Sequence, residues 1–226
     1  MTEPASPSPR GPVWARQVGR FLARVWWATR VEGAEHVPVD GPVLFAANHT
    51  GVIDGPLLIG TAPRPAHILV KDEMFHGPVG AVLRGAGQIP VDRAGGRAAL
   101  AAALGVLRRG GAVGVFPEGN RGRGDATSAR AGVAWLAVHG HAPVVPVAIL
   151  GTRRTGEAVG HVPAPRRPLR VEFGQPVPVT WDHLTGRAGV AAAGEAIREA
   201  LAVLVGRAAA RTGLALPTDD PNRAGV

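Results

Sequence analysis

Val43-Leu44-Phe45-Ala46-Ala47-Asn48-His49-Thr50-Gly51-Val52-Ile53-Asp54 decides the reading of the fold. Five apolar residues, then a polar turn, then a Pro-containing apolar stretch from Asp54 onward, spell a strand that passes through a turn into a helix. Such turns place side chains at the mouth of a sheet. His49 and Asp54 are five positions apart, so they point away from each other on a helix and to opposite faces on a strand. They meet only if the chain bends between them, and Gly51 permits that bend. With Asp54 accepting one ring N–H, the other nitrogen of His49 can take a proton from an alcohol. The spacing alone also fits a hydrogen-bonded pair or turn cap with no catalytic role.

Outward from this stretch, short Val/Ile/Leu-rich runs at 43–47, 67–70, 88–91, 112–116 and 143–150 alternate with Ala-rich helical stretches near 73–84, 96–109 and 128–139. That alternation predicts an α/β domain, a single layered unit with a mostly parallel sheet flanked by helices. A further strand at 169–173 would turn Leu169, Val171 and Phe173 to one face. A last helix, about 188–211, would bury Ile197, Leu201, Leu204 and Val205 at helical spacing. The length suits one domain, 31–212, and Pro4, Pro7, Pro9 and Pro12 mark residues 1–12 as a flexible tail, with a second tail over 213–226.

Two further blocks carry candidate chemistry. Phe116-Pro117-Glu118-Gly119-Asn120-Arg121 ends the run at 112–116, and Arg93 follows Ile89-Pro90-Val91-Asp92. A guanidinium at a strand end presents a planar fork that grips phosphate or carboxylate, although an Arg flanked by Gly also suits a solvated loop. Glu118 can hold an arginine, accept from a substrate hydroxyl, or only position Arg121. Pro146, within Val144–Leu150, should mark a strand start, edge or bulge, because Pro is excluded from central ladder positions.

Four blocks in this order resemble the 1-acyl-sn-glycerol-3-phosphate acyltransferase family. His49 and Asp54 match its His-x4-Asp block, Gly87-Gln88-Ile89-Pro90-Val91-Asp92-Arg93 its second, Phe116 to Arg121 its Phe-Pro-Glu-Gly-Thr-Arg block, and Val145-Pro146-Val147 its closing Val-Pro-Val block. The resemblance covers roughly residues 30–180 and departs at Asn120, where Thr is usual, and at Gly122, where Ser is usual. It implies transfer of a fatty acyl group from acyl-CoA or an acyl carrier protein to the free hydroxyl of 1-acyl-glycerol-3-phosphate, giving phosphatidate. His49 and Asp54 would be catalytic, and Arg93, Glu118, Gly119, Asn120, Arg121 and Pro146 would bind substrate. The same chemistry suits another lysolipid, a glycolipid or an amino-acid lipid, and a lipid-binding module with a disabled site is the alternative outside enzymes. Backbone N–H groups near Asn48 to Gly51 are the candidate oxyanion donors.

The formal charge of +8, carried almost wholly by Arg with Lys71 the only lysine, favours anionic surfaces as partners. The basic residues are spread through Gly- and Pro-rich loops with no nucleic-acid motif. Metal and cofactor binding are not expected. The chain has no cysteine and no ligand-spaced histidines, and no Gly-x-Gly-x-x-Gly or Gly-Lys-Ser/Thr loop for a nucleotide. Residues 13–30 read as a basic amphipathic helix, with Trp14, Val18, Phe21, Leu22 and Val25 opposite Arg16, Arg20 and Arg24, and with Trp26 and Trp27 suited to a membrane interface. It either lies on a membrane or packs on its own domain. No apolar run approaches the roughly twenty residues of a membrane span, and no secretory signal is present. These features predict a peripheral protein on the cytoplasmic face of the cell membrane.

Overall fold

The computed structural model describes residues 7–92, 96–126, 131–177 and 186–219. Seven strands form one sheet in the order β1-β7-β6-β2-β5-β3-β4: β1 Ala28–Glu32, β2 Val43–Ala47, β3 Ala66–Lys71, β4 Ile89–Val91, β5 Ala112–Val115, β6 Val144–Leu150 and β7 Pro168–Phe173. β6, β2, β5, β3 and β4 run in one direction, while β7 is antiparallel to β6 and β1 is parallel to β7. The α/β class is as predicted.

The central strands are apolar throughout because both sheet faces are covered. Val43, Phe45 and Ala47 of β2 pack towards α2 (Asp54–Thr61) through Leu57 and Leu58, beside Val145, Val147 and Ile149 of β6. Leu44 and Ala46 face the other layer, where α4 (Arg97–Arg108) contributes Leu104 and Leu107, α5 (Ala131–Gly140) Val133 and Leu136, and α6 (Arg187–Thr212) Ile197. Leu201, Leu204 and Val205 of α6 close over Ala148 and Leu150, as the helical spacing required. The helix after β2 thus lies on one face and the helix after its neighbour β5 on the other. Strands whose crossovers part in this way leave a crevice at their carboxyl ends.

Pro146 differs from its expectation. It sits in the interior of β6, opposite Ala46 of β2. The odd-numbered residues of β6 turn their peptide groups towards β2, as when Asn48 N donates to Val147 O. Pro146 therefore turns its donorless nitrogen towards β7, whose ladder with β6 starts only at Val147 and Phe173. Its carbonyl accepts from Gly174 N at 2.8 Å, so no ladder bond is lost.

The N-terminal region also departs from expectation. α1 runs Arg10–Phe21 and continues as a π-helical turn, Leu22–Trp26. Trp27 is already extended, and Ala28–Glu32 is a strand, missed because its half-exposed edge position shows little apolar signal. Gly11, Pro12, Ala15 and Gly19 of α1 are buried: Gly19 meets α2, while Gly11 and Pro12 meet residues 85–87. A Cβ on Gly60 would lie 2.2 Å from the carbonyl carbon of Gly19, so the two backbones touch. The large apolar residues point outward, with Phe21 57% and Val25 62% exposed and Trp14, Val18 and Trp26 exposed beside them. Trp27 is the exception. It is only 4% exposed, and its Nε1 donates to Pro163 O at 3.0 Å, so it belongs to the core and not to an interface. At the other end, residues 213–219 of the expected tail lie on the domain, with Leu214 and Leu216 against the cluster under α6.

Candidate active site

β2 delivers Asn48 and His49 to the carboxyl edge of the sheet, and Asn48 fixes where the strand stops. Its side-chain amide donates to Ile149 O at 3.0 Å and accepts from Ile149 N at 2.7 Å, which extends the β2–β6 ladder by one residue. The chain then bends sharply, and Asp54, the first residue of α2, folds back under the turn. One carboxylate oxygen of Asp54, Oδ2, accepts from His49 Nδ1 at 2.8 Å, Thr50 N at 2.7 Å and Gly51 N at 2.8 Å. Asp54 is fully buried, and its Oδ2 gathers these three N–H donors at the start of α2. The His-x4-Asp spacing therefore closes into a contact, as the bend at Gly51 allowed.

The imidazole is fixed on a second side. It stacks on Phe116 with ring centroids 4.1 Å apart and 20° between planes. With Nδ1 donating to Asp54, Nε2 is the acceptor nitrogen. The His49 side chain is 14% exposed, so the ring is not sealed into the core.

The loop after β5 packs across this turn. Glu118 accepts from His49 N at 3.3 Å and from the backbone N–H of Ala126, a tether to both the turn and the far end of its own loop. Burial pushes its carboxyl up to about 7, with the nearby Asp125 and Asp54 charges acting in the same direction and the two N–H donors against them. Gly119 adopts φ +71°, a conformation that favours glycine, and its N–H donates to Phe116 O at 3.0 Å. Asn120 is exposed and accepts from Lys71 Nζ, at the end of β3, at 2.6 Å. Arg121 is half-buried and within electrostatic reach of Asp54; desolvation lowers its pKa and the aspartate opposes this. Gly122 N then donates to His49 O at 3.0 Å, and Gly124, at φ +70°, backs onto Thr50 and Asn48.

The structure thus places His49, Asp54, Glu118, Gly119, Asn120 and Arg121 on the two adjoining turns after β2 and β5, at the carboxyl end of the sheet. Pro146 stays inside the sheet, and Arg93 lies outside the described residues. The predicted oxyanion donors are already engaged: Asn48 N binds Val147 O, His49 N binds Glu118, and Thr50 N and Gly51 N bind Asp54. Sequence reasoning passed over the Asn48 amide, Lys71, Thr152, whose hydroxyl meets that of Thr50 at 2.8 Å, and Arg153. Lys71, Thr152 and Arg153 lie at or just past the carboxyl ends of parallel strands, and that placement was the available signal. Among the described residues, no group of His, Asp or Glu could hold a metal ion.

A family model described as acyltransferase matches residues 28–150. The chain belongs to this acyltransferase family. It is 29% identical over 174 residues to a 1-acyl-sn-glycerol-3-phosphate acyltransferase of Bacillus subtilis (strain 168), covering 75% of this chain and 84% of that protein. A protein of the same description from Borreliella burgdorferi is 35% identical over 127 residues, 54% of this chain and 51% of that one. An uncharacterized Mycobacterium tuberculosis protein, Rv0502, is 34% identical over 61% of this chain, which spans only 41% of its length. The crystal structure of the 1-acyl-sn-glycerophosphate (LPA) acyltransferase PlsC from Thermotoga maritima shares the fold, with TM-score 0.68 and 23% identity, over 89% of this chain and 79% of that one. Membership of the acyltransferase family makes acyl transfer in lipid biosynthesis the class of activity for this chain.

Proposed function

We propose that this acyltransferase moves a fatty acyl group from an acyl thioester, acyl-CoA or acyl carrier protein, to the free hydroxyl of a 1-acyl-glycerol-3-phosphate. The observation that carries the reading is the 2.8 Å contact between His49 Nδ1 and a buried Asp54, in a chain similar to proteins named for this activity. His49 Nε2 takes the hydroxyl proton as the oxygen attacks the thioester carbonyl. Asp54 holds the tautomer and stabilises the imidazolium. Collapse of the tetrahedral adduct breaks the C–S bond, and the imidazolium returns its proton to the leaving thiolate. No covalent acyl-enzyme is needed. The guanidinium of Arg121, beside this pair, meets the acceptor's phosphate.

The outward apolar stripe of α1 supports attachment to a membrane surface. Trp14 Nε1 donates to Gly85 O at the end of α3 (Gly77–Gly85), which presents Val79 and Val82, also exposed, beside the stripe. Arg16, Arg20 and Arg24 lie near enough to one another for their charges to interact, and such a cluster attracts an anionic leaflet at about 1 kcal/mol per residue. No helix among the described residues is long and apolar enough to cross a membrane. On this reading the protein binds peripherally, at the cytoplasmic face of the cell membrane.

The deciding experiment follows free thiol released from acyl-CoA or acyl carrier protein by the purified protein across a panel of lysolipids, beside His49→Ala. Release that requires both lysophosphatidate and His49 is expected. Turnover with a different lysolipid alone would overturn the acceptor, and full turnover by a folded His49→Ala variant would overturn the mechanism.

A further inference from the structure

Arg153 is the largest of the side chains buried completely by this fold, at 1% exposed, and no step of the proposed reaction uses it. Its Nη2 donates to Gly122 O at 3.2 Å and to Asp219 O at 3.0 Å. Its Nη1 donates to Asp219 Oδ2 at 2.8 Å and to Glu157 O at 3.1 Å. One guanidinium therefore ties together the loop after β5, the loop after β6 and the segment beyond α6. A buried cation is retained only where it is paired and hydrogen-bonded, and among the described residues its countercharge comes from Asp219.

Gly122 connects this tie to the chemistry. It follows Arg121 directly, its N–H holds His49 O at 3.0 Å, and its carbonyl is held by Arg153. The segment from Gly213 covers the same loop. Leu214 and Leu216 pack beside Ala126, Leu216 Cδ2 is 3.7 Å from where a Cβ on Gly124 would sit, and Thr218 N donates to Thr155 Oγ1 at 3.0 Å.

We propose that the segment Gly213–Asp219 is a strap that completes the anion site, with Asp219, acting through Arg153, setting the position of Gly122 and hence of Arg121. Arg153 and Asp219 are positioning residues and touch no substrate. The link to acceptor binding rests on the reading above, that Arg121 meets the acceptor's phosphate. His49 keeps its place through Asp54 and Glu118, so the strap governs acceptor binding and spares proton transfer.

The test compares wild type, Asp219→Ala and the isosteric Asp219→Asn in the full chain, by amide hydrogen exchange and by kinetics. In Asp219→Ala, the Gly122 amide exchanges about tenfold faster or more, while interior amides of β2 and β6 keep their protection. KM for whichever lysolipid the wild type turns over rises roughly tenfold with kcat within about twofold, and Asp219→Asn falls between. Unchanged Gly122 exchange, loss of protection across β2 and β6 as well, or a fall in kcat with KM constant would each overturn the proposal. Should the wild type turn over no lysophosphatidate, the acceptor reading fails by itself and the Gly122 exchange still decides the strap.

Discussion

Replacing Asp54 with Asn tests the central claim, because the substitution keeps the shape of the turn and removes its charge. The amide oxygen can occupy the place of Oδ2 and still accept from His49 Nδ1, Thr50 N and Gly51 N, which now lie 2.7–2.8 Å away. What is lost is the attraction between carboxylate and imidazolium as the proton moves. The 2.8 Å contact puts the charge centres roughly 4 Å apart, an interaction of about 4 kcal/mol at an effective dielectric near 20. At about 1.4 kcal/mol per decade, kcat should fall by roughly three orders of magnitude. KM for the acceptor should stay within about threefold, since Asp54 binds no part of it. Steady-state thiol release measures both. The double variant His49→Ala/Asp54→Asn should be no slower than His49→Ala, because Asp54 acts through His49. A loss in kcat below about tenfold, or a double variant slower than the single by the full Asp54→Asn factor, would refute this account.

Three other outcomes follow from the same geometry. Glu118 holds its proton up to about 7 in the fold against an ordinary value of 4.5, so the folded state binds more protons between those values and stability falls as pH rises through that window, by up to roughly 3 kcal/mol; thermal unfolding from pH 4 to 8 should show this slope, and Glu118→Gln should flatten it. Gly124→Ala places a Cβ 2.4 Å from Thr50 Cγ2 at φ +70°, so about 2 to 4 kcal/mol of stability should be lost, and a melting temperature equal to wild type would contradict the packing of this loop on the His49 turn. Phe21→Asp and Val25→Asp, both at exposed positions, should leave melting unchanged while each weakens binding to anionic vesicles by about tenfold or more in co-sedimentation; unaltered binding would remove α1 from the membrane contact.

Much of this architecture could be read from the sequence wherever one physical signal dominated. β2, β5 and β6 are covered on both faces, so they read as continuous apolar runs, and β7 alternates because only Leu169, Val171 and Phe173 turn inward. β1 escaped because Ala28-Thr29-Arg30-Val31-Glu32 sits half-exposed at the sheet edge and lacks both patterns. The amphipathic stripe of α1 was legible as a stripe, but its orientation was not. Gly11 and Gly19 carry no hydrophobic signal, yet Gly19 makes the backbone contact with α2 and Gly11 the contact with residues 85–87. In the site, His49 and Asp54 are near in sequence and their meeting followed from local geometry. The hold of Glu118 on His49 N and the reach of Arg153 to Gly122 join loops 69 and 31 residues apart, and no local pattern encodes them.

The glycine contact between α1 and α2 has a mechanical consequence. Asp54 opens α2, and Gly60, in its second turn, is where α1 crosses with backbone against backbone. The backbones meet directly at this crossing, so the exposed apolar surface of α1 and the Asp54 carboxylate are tied to one rigid body. With α1 on the membrane as proposed, the height of the His49 ring above the lipid headgroups is set by the fold itself. On the reading proposed here, the enzyme selects its acceptor partly by depth, as a gauge does, reaching only hydroxyls that ride at that level of the leaflet.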